Sequence, residues 1–370
     1  MITIDHVLEV MEHIAPVSLA ETWDNPGLQV GHREWLVNKI WVALDPTYEV
    51  VEKACGENVN LLITHHPLIF HPLRRLDMGN NIGKIIELAI KHRVAILCAH
   101  TNLDSASGGL NDMFAERLGL ECVTVLSPKG DDQFKLVVYV PKEYEDKVLD
   151  AIFESGAGKA ERYSSVSFRT EGIGTFRAGV DANPFLGRRG EFTQVPEFRI
   201  EVLVARKDLS QVTMALTAVH PYEEVVYDVY AISGKGSGDG LGRIGELDEG
   251  ISLGRFSERI KRIFGLSTVK VAGNLEHSVK RIAVCTGSGR GLLGDFLSSD
   301  AEVLVSGDLG YHDGQRVVNA GKGLIDIGHF ASEHLVVRGL VKRLKETLSA
   351  KEYLVEVASY QDECDCFQYV

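Results

Sequence analysis

Two widely separated stretches of the sequence carry residue types that bind metal ions. Leu61–Pro67 (LLITHHP) is an apolar run that ends at the adjacent imidazoles of His65 and His66. His329–Glu333 (HFASE) places a histidine and a glutamate four positions apart, a spacing that an α-helix brings onto one face. Imidazole nitrogens mixed with carboxylate oxygens suit zinc, manganese, iron or cobalt. We therefore predict that the two stretches meet at a metal site.

A third stretch, His100–Asp104 (HTNLD), also follows an apolar run and offers Asp104 as a further ligand. Adjacent side chains at a strand end point to different sides, so His65 and His66 are expected to serve two ions rather than chelate one. A bridging carboxylate, for which we choose Glu333, would hold the ions about 3.5–4 Å apart. In this arrangement His65 and His329 hold one ion, and His66 and Asp104 hold the other.

Other polar residues near these stretches have two interpretations each. Asp308 and His312, in GDLGYHD, either bind substrate and move protons or form a capped helix start with a surface histidine. His100 and Asn102 either orient the ligands or stabilise a turn. Gly287-Ser288-Gly289 follows a predicted strand and could cradle an anion, but it is too short for a Walker loop or a dinucleotide fingerprint.

Short apolar strands alternate with helices of about 10–15 residues, which is typical of an α/β fold with mixed, mainly parallel sheets. The strands preceding the candidate ligands are predicted at 61–64, 94–99, 302–308 and 324–328. Every candidate ligand therefore follows the carboxyl end of a strand, where open α/β sheets bind their ligands.

The middle of the chain has a different pattern, with the predicted order β-α-β-β-α-β of a ferredoxin-like α+β domain. Its clearest elements are strands at 134–140, 199–205 and 225–232 and helices at 144–156 and 209–218. The sequence thus predicts a two-lobed α/β domain interrupted by an insertion. Residues 1–128 would form the first metal-binding lobe, 129–235 the inserted domain and 236–370 the second metal-binding lobe.

The composition excludes several classes of protein. The chain of 370 residues is 45% hydrophobic and has a net charge of −13 without a Lys/Arg-rich run, which argues against a nucleic-acid partner. No signal peptide and no apolar run of about 18 residues is visible, so we expect a cytoplasmic protein without a membrane span. The six cysteines are predicted to be reduced. Cys364 and Cys366 form a C-x-C pair without the further ligands of a zinc site, and the sequence assigns them no role.

Seven motifs occur in the order found in the Nif-three-like family, whose members are described as GTP cyclohydrolase I type 2 homologues. They are WDNPGLQVG, ITHHPLIF, HTNLD, GLGRIG, GSG, SGDLGYHD and DIGHFASE. The sequence resembles the longer bacterial form, in which a PII/CutA-like domain is inserted between two metal-bearing lobes. The resemblance covers essentially the whole chain. It implies a dinuclear metal site whose five ligands are His65, His66, Asp104, His329 and Glu333.

The resemblance also implies a homohexameric ring and a hydrolytic activity. The implied reaction opens GTP at the purine C8 and yields formate and dihydroneopterin triphosphate. Two alternatives remain open at this point. The same site could hydrolyse another nucleotide or a phosphoester, or the protein could be a non-enzymatic metal- or ligand-sensing assembly protein. The insert would then regulate, oligomerise or simply pack.

Overall fold

A computed structural model describes residues 2–129, 133–160, 163–232 and 238–368. The chain divides into two compact units. Residues 1–129 and 237–370 form the first, here called the two-sheet unit, and residues 130–236 form the second, here called the insert. Within the described ranges, no helix is long and apolar enough to cross a membrane.

Strands and helices alternate along most of the chain. The strands are β1 (Ile2–Thr3), β2 (Gly27–Val30), β3 (Leu36–Val37), β4 (Lys39–Ala43), β5 (Leu61–Thr64), β6 (Ala95–Cys98), β7 (Glu121–Pro128), β8 (Gln133–Pro141), β9 (Ser167–Arg177), β10 (Phe192–Ala205), β11 (Tyr227–Ile232), β12 (Gly240–Ser252), β13 (Lys270–Ala272), β14 (Ser278–Ser288), β15 (Val303–Gly307), β16 (Gly323–Asp326) and β17 (Glu356–Ser359). The helices are α1 (Ile4–Ile14), α2 (Tyr48–Gly56), α3 (Asn81–His92), α4 (Thr101–Ser105), α5 (Leu110–Leu118), α6 (Glu145–Glu154), α7 (Arg206–Val219), α8 (Leu253–Phe264), α9 (Leu293–Ser298), α10 (Tyr311–Asn319), α11 (His329–Glu333) and α12 (Leu335–Ala350). Short 3-10 turns lie at Val17–Leu19, Lys142–Tyr144 and Gly289–Leu292.

The first sheet of the two-sheet unit has the order β17-β4-β5-β6-β2. The first four strands are parallel, and β2 is antiparallel at the edge. All four residues of β5 are buried because helices cover both faces of the sheet. Leu61 and Ile63 pack in the same core cluster as side chains of α1 and α12. Leu62 points to the other face and packs in the cluster that contains side chains of α2 and α3.

The second sheet has the order β13-β16-β15-β14-β12-β7. Only β14, β15 and β16 are parallel to one another, whereas β12, β7 and β13 run antiparallel to their neighbours. The expectation of mainly parallel sheets therefore fits the first sheet but not the second. In the second sheet the two antiparallel strands β7 and β12 immediately flank the insertion and pair directly with each other.

Each of the two large sheets of this unit takes a strand from the far side of the insertion, whereas the small antiparallel sheet of β1 and β3 does not. β7 precedes the insert but belongs to the second sheet, and β17 at the end of the chain pairs with β4 of the first. Neither of these two sheets is therefore formed by residues 1–128 alone or by residues 236–370 alone. The buried Arg243 side chain also links the two portions of the unit, because it donates to Asp112 Oδ2 at 2.7 Å and to the Ala106 carbonyl at 3.1 Å.

The insert contains one sheet, with the antiparallel order β11-β8-β10-β9. Its described elements follow the order β-α-β-β-α-β that the sequence predicts. Val148 and Ile152 of α6 and Val212 and Leu216 of α7 pack with strand residues in a single core cluster.

The C-terminal part of the chain contains a divided helix and two exposed cysteines. The single helix expected over 332–348 is two helices, α11 and α12, which meet at His334. Cys364 and Cys366 are exposed free thiols.

Candidate metal centre

Three strand ends of the two-sheet unit carry the predicted ligands. His65 and His66 follow β5, Asp104 lies in α4 just after β6, and His329 and Glu333 are the first and last residues of α11, after β16. β5 and β6 belong to the first sheet, and β16 belongs to the second. The site therefore lies where the carboxyl ends of strands from two sheets face each other.

The carboxylate of Glu333 is at the middle of this group. Its Oε2 lies 2.9 Å from His66 Nε2 and 2.9 Å from His329 Nε2, and these two nitrogens are 3.3 Å apart. Its Oε1 faces the other way, 3.6 Å from His65 Nε2, which in turn is 3.7 Å from Asp104 Oδ1. The pairing expected from the sequence is therefore wrong. His66 groups with His329, and His65 groups with Asp104.

All three histidines present Nε2 to the centre because an acceptor holds Nδ1. His65 Nδ1 is 2.9 Å from the Ala99 carbonyl oxygen, His66 Nδ1 is 2.8 Å from Asp45 Oδ1, and His329 Nδ1 is 2.7 Å from Asp308 Oδ2. Oxygens of these kinds accept hydrogen bonds, so Nδ1 keeps its proton, and Nε2 is the nitrogen that would offer a lone pair to a metal ion after losing its own proton. This outer hydrogen bond is the usual support of a metal-binding histidine.

His65 provides a direct test of whether the residues fit a cation. Its side chain is fully buried, and Nε2 has no hydrogen-bond partner. A buried nitrogen lone pair without a donor is costly, and a metal ion would satisfy it. Together with two buried carboxylates, this donor set fits divalent metal ions.

The electrostatics of the group also favour positive charge. Burial opposes the charged form of His66, yet hydrogen bonds to Asp45 and Glu333 raise its pKa to about 10. The hydrogen bond to Glu333 raises the pKa of His329 to about 9. Burial also opposes ionisation of Glu333, but the neighbouring histidines hold its pKa well below the usual value. The carboxylate is therefore ionised and attracts cations, whether protons or metal ions.

Comparison with known proteins assigns the chain to a family. The sequence profile of Duf34/NIF3 (NGG1p interacting factor 3) matches residues 2–364. The chain belongs to the Duf34/NIF3 family. This confirms the resemblance seen in the sequence.

Several relatives match this Duf34/NIF3 chain over nearly its full length. A protein of Halalkalibacterium halodurans named "GTP cyclohydrolase 1 type 2 homolog" is 36% identical over 365 residues, covering 98% of each chain. A Bacillus subtilis protein of the same name is 34% identical, with the same coverage. Among solved structures, a Bacillus cereus protein related to NIF3 is 36% identical with a TM-score of 0.70, and the match covers 100% of this chain and 99% of that one. A Staphylococcus aureus protein is 31% identical with a TM-score of 0.74 and the same coverage.

Asp308 and His312, the two residues predicted for catalysis, lie in different surroundings. Asp308 has a left-handed backbone, with φ of 55°, and its carboxylate contacts His329, one of the candidate metal ligands. His312 lies exposed in α10, with Nδ1 3.1 Å from Gln315 Oε1 and its ring beside Tyr311. The structure thus brings Asp308, but not His312, into contact with the histidine and carboxylate cluster of this Duf34/NIF3 chain.

His100 belongs to the same group, so the HTNLD stretch brings a second possible ligand, besides Asp104, to the site. The ligand nitrogens of His65, His66 and His100 lie within 4.8 Å of one another. His100 Nδ1 is 2.8 Å from Asp24 Oδ1, so its other nitrogen is free to face the centre. Asn102 instead donates from its side chain to the Ala15 carbonyl at 2.7 Å, which is a structural role.

Several supporting residues were not identified from the sequence. Asp45, which orients His66, resembles an ordinary helix start after strand β4. Glu363 in the C-terminal tail accepts hydrogen bonds from the amides of Leu44 at 2.9 Å and Asp45 at 3.0 Å, and nothing local marks it. Asn111 donates to the Asp104 carbonyl and accepts from the amide of Thr286, both at 3.0 Å. Of these residues, Asp45 is the one that the sequence could have indicated, because it follows an apolar strand and so obeys the same strand-end rule as the candidate ligands.

The GSG motif provides space at the site. Gly287 has a φ of 60°, and a Cβ atom at this position would lie 2.0 Å from Glu333 Oε1. The turn after it is a 3-10 turn followed by the six-residue helix α9. Glycine is therefore required at position 287 so that the carboxylate of Glu333 can approach the end of β14.

Proposed function

We propose that this Duf34/NIF3 protein is a metal-dependent hydrolase with two divalent metal ions in each subunit. The position of Glu333 carries this proposal. Its buried carboxylate directs one oxygen towards His66 and His329 and the other towards His65 and Asp104. A carboxylate shared in this way is the usual bridge of a two-metal hydrolytic centre. Zinc is our first choice, and manganese, iron or cobalt would suit the same ligands.

Bound metal ions would supply a Lewis acid and an activated water at this place. The protein supplies the geometry. Asp45 and Asp308 hold His66 and His329 with Nε2 facing inward, and burial of Glu333 strengthens its interaction with cations. We assign Asp308 to positioning, since its carboxylate is engaged by His329. Proton transfer by His312 stays a prediction.

The substrate that we propose is GTP, opened at C8 to give formate and dihydroneopterin triphosphate. The name of the relatives from Halalkalibacterium halodurans and Bacillus subtilis supports this choice. Hydrolysis of another nucleotide or of a phosphoester would use the same metal centre. We also propose that the protein works in the cytoplasm as a homohexamer, a ring of trimers or dimers. A mass in solution other than six times that of one chain would contradict the hexamer.

The test combines metal content with turnover. Metal-depleted protein is reloaded with zinc, manganese, iron(II) or cobalt, and the bound metal is counted by elemental analysis. Formate and pterin fluorescence are then followed with GTP, and phosphate release is followed with a phosphoester panel. We expect two metal ions per chain and turnover of GTP. Fewer than about one ion per chain would refute the dinuclear centre.

Glu333→Gln is the informative variant because it keeps the side-chain shape and removes the charge. We expect it to lose both metal and turnover while its fold, measured by circular dichroism, is retained. Glu276→Gln is the matched control, since Glu276 is exposed at the turn after β13. Equal metal content in the two variants would contradict the bridging role of Glu333.

The second candidate function is ligand sensing by the insert, which we propose to be a PII/CutA-like domain. One observation favours it. The insert contains a pocket of about 950 Å³ whose lining includes the aromatic residues Phe176, Phe185 and Tyr222. Protein that binds two metal ions but turns over neither GTP nor any phosphoester would support this alternative over the hydrolase.

A further inference from the structure

Two large aromatic side chains are exposed close to the metal centre. Trp23 is 56% exposed and Phe70 is 41% exposed, and their ring centroids are 5.8 Å apart. Trp23 is in the loop after the first 3-10 turn, and Phe70 is in the loop after His65 and His66. Exposed aromatic surface of this size costs free energy in water, so an adjacent pair calls for an explanation.

A chain of ring contacts connects this pair to the metal-site histidines. The Trp23 ring lies 6.1 Å from the ring of His100. The His100 ring lies 5.2 Å from that of His65 and 5.7 Å from that of His66. The imidazole of His100 therefore lies between the aromatic pair and the rings of His65 and His66, at the exposed side of the site.

Buried polar contacts fix the position of Trp23. Asp24, the next residue, has a fully buried carboxylate that accepts from His100 Nδ1 at 2.8 Å, from the Thr101 amide at 3.0 Å and from the Thr101 hydroxyl at 2.5 Å. Although burial opposes ionisation, these bonds lower the pKa of Asp24 to about 2. The carboxylate is thus ionised at neutral pH and anchors the Trp23 loop to the HTNLD stretch.

The loop of Phe70 is attached to the same segment. Asn25 Nδ2 donates to the Ile69 carbonyl at 2.6 Å, and the Ile69 amide donates to Gln29 Oε1 at 2.8 Å. Both backbone groups of the residue before Phe70 are therefore held by side chains from the Trp23 loop and from strand β2, which follows it. The two exposed rings are presented on a preorganised support, which lowers the entropic cost of binding a ligand.

We propose that Trp23 and Phe70 form a subsite that binds the flat heteroaromatic ring of a substrate whose reacting end lies at the metal centre. Flat rings with a π-face stack on Trp and Phe with little dependence on their substituents. The subsite rests on the proposed function, because it specifies the substrate class of the same site as a nucleobase or a similar heterocycle.

The test measures binding rather than turnover. Zinc-loaded full-length protein is titrated with guanosine 5′-monophosphate and, separately, with ribose 5-phosphate, which lacks the base. We expect the nucleotide to bind more tightly and to quench tryptophan fluorescence. Trp23 is the exposed one of the three tryptophans, since Trp35 and Trp41 are partly buried.

Two substitutions at the same position separate stacking from apolar contact. Trp23→Leu should weaken nucleotide binding about tenfold or more and leave ribose 5-phosphate binding unchanged. Trp23→Phe keeps an aromatic face, so it should retain most of the affinity by equilibrium dialysis but lose the fluorescence change. Phe70→Leu is the second variant and should weaken the nucleotide in the same selective way. Metal content is measured for each variant and should stay at the wild-type value.

Three outcomes would overturn the subsite. They are absence of nucleotide binding to the wild type, equal affinity for the two probes, and unchanged nucleotide affinity in Trp23→Leu. A changed sedimentation coefficient of Trp23→Leu with unchanged nucleotide affinity would assign the pair to a contact between copies of the chain. Base-selective binding without formate release would retain the subsite and refute only the proposed hydrolysis of GTP.

Discussion

Gly287→Ala tests whether the close approach of Glu333 to the end of β14 maintains the proposed metal centre. The substitution places a Cβ atom 2.0 Å from Glu333 Oε1, whereas ordinary contact begins at 3.4 Å. Glu333 must then retreat by more than 1 Å. Its other oxygen is held at 2.9 Å by both His66 and His329, so the carboxylate cannot move without breaking these contacts.

The expected magnitudes have two parts. A non-glycine residue with left-handed backbone costs about 1–2 kcal/mol of folding stability. Displacement of the carboxylate that we propose as the bridge adds a loss of metal affinity, which we place at about 10- to 100-fold by analogy with the loss of supporting groups around metal ligands. The second effect should dominate because Glu333 faces both ligand pairs.

Two other glycines separate these contributions. Gly321 has a φ of 72° and no atom within 4 Å of an added Cβ, so Gly321→Ala introduces backbone strain alone. At Gly291 φ is not left-handed and the added Cβ also meets nothing, so Gly291→Ala introduces neither effect. Urea unfolding of metal-free protein would measure the strain, and competition with a chromophoric chelator would measure zinc affinity.

We expect lower stability in Gly287→Ala and Gly321→Ala, and loss of zinc affinity only in Gly287→Ala. Wild-type zinc affinity in Gly287→Ala would refute the reasoning, because it would mean that Glu333 can shift and still serve both ligand pairs. Equal loss of zinc affinity in Gly321→Ala would show that strain alone accounts for the effect.

Three further predictions follow from individual contacts. Glu363→Gln removes the negative charge from the acceptor of the Leu44 and Asp45 amides. We expect urea unfolding to show that the free energy of unfolding falls by about 1.5–3 kcal/mol. An unchanged free energy of unfolding would contradict this. Zinc binding to metal-free protein at pH 8 should release protons, because the pKa of His66 is about 10 and that of His329 about 9; calorimetric heats that do not depend on the buffer would contradict this. In the insert, burial lowers the pKa of His220, whose Nδ1 accepts from the Tyr222 amide. The unfolded chain therefore binds the proton first as pH falls below about 6.5, so the insert should lose stability towards pH 5. Amide protection factors in β8 and β11 would report this loss, and His220→Gln should remove the pH dependence.

The sequence by itself determined the elements and the candidate ligands. Runs such as LLIT are apolar at every position, which identifies strands covered on both faces, and all four residues are buried in the structure. The rule that ligands lie beyond the carboxyl ends of strands then selected His65, His66, Asp104, His329 and Glu333. Both inferences use local patterns, which the chain displays within a few residues.

The tertiary structure decided how these residues pair and what supports them. His66 groups with His329 rather than with Asp104 because the strand ends of two different sheets face each other, and their relative placement depends on packing far from the ligands. Glu363 supports the segment that carries Asp45 across 318 positions of sequence, and no local pattern signals such a contact. Gly287 is likewise explained only by its neighbour in space, since its requirement for glycine comes from the carboxylate of Glu333. Contacts between distant segments form only when the sheets assemble, and for that reason the sequence predicted which residues meet but not their arrangement.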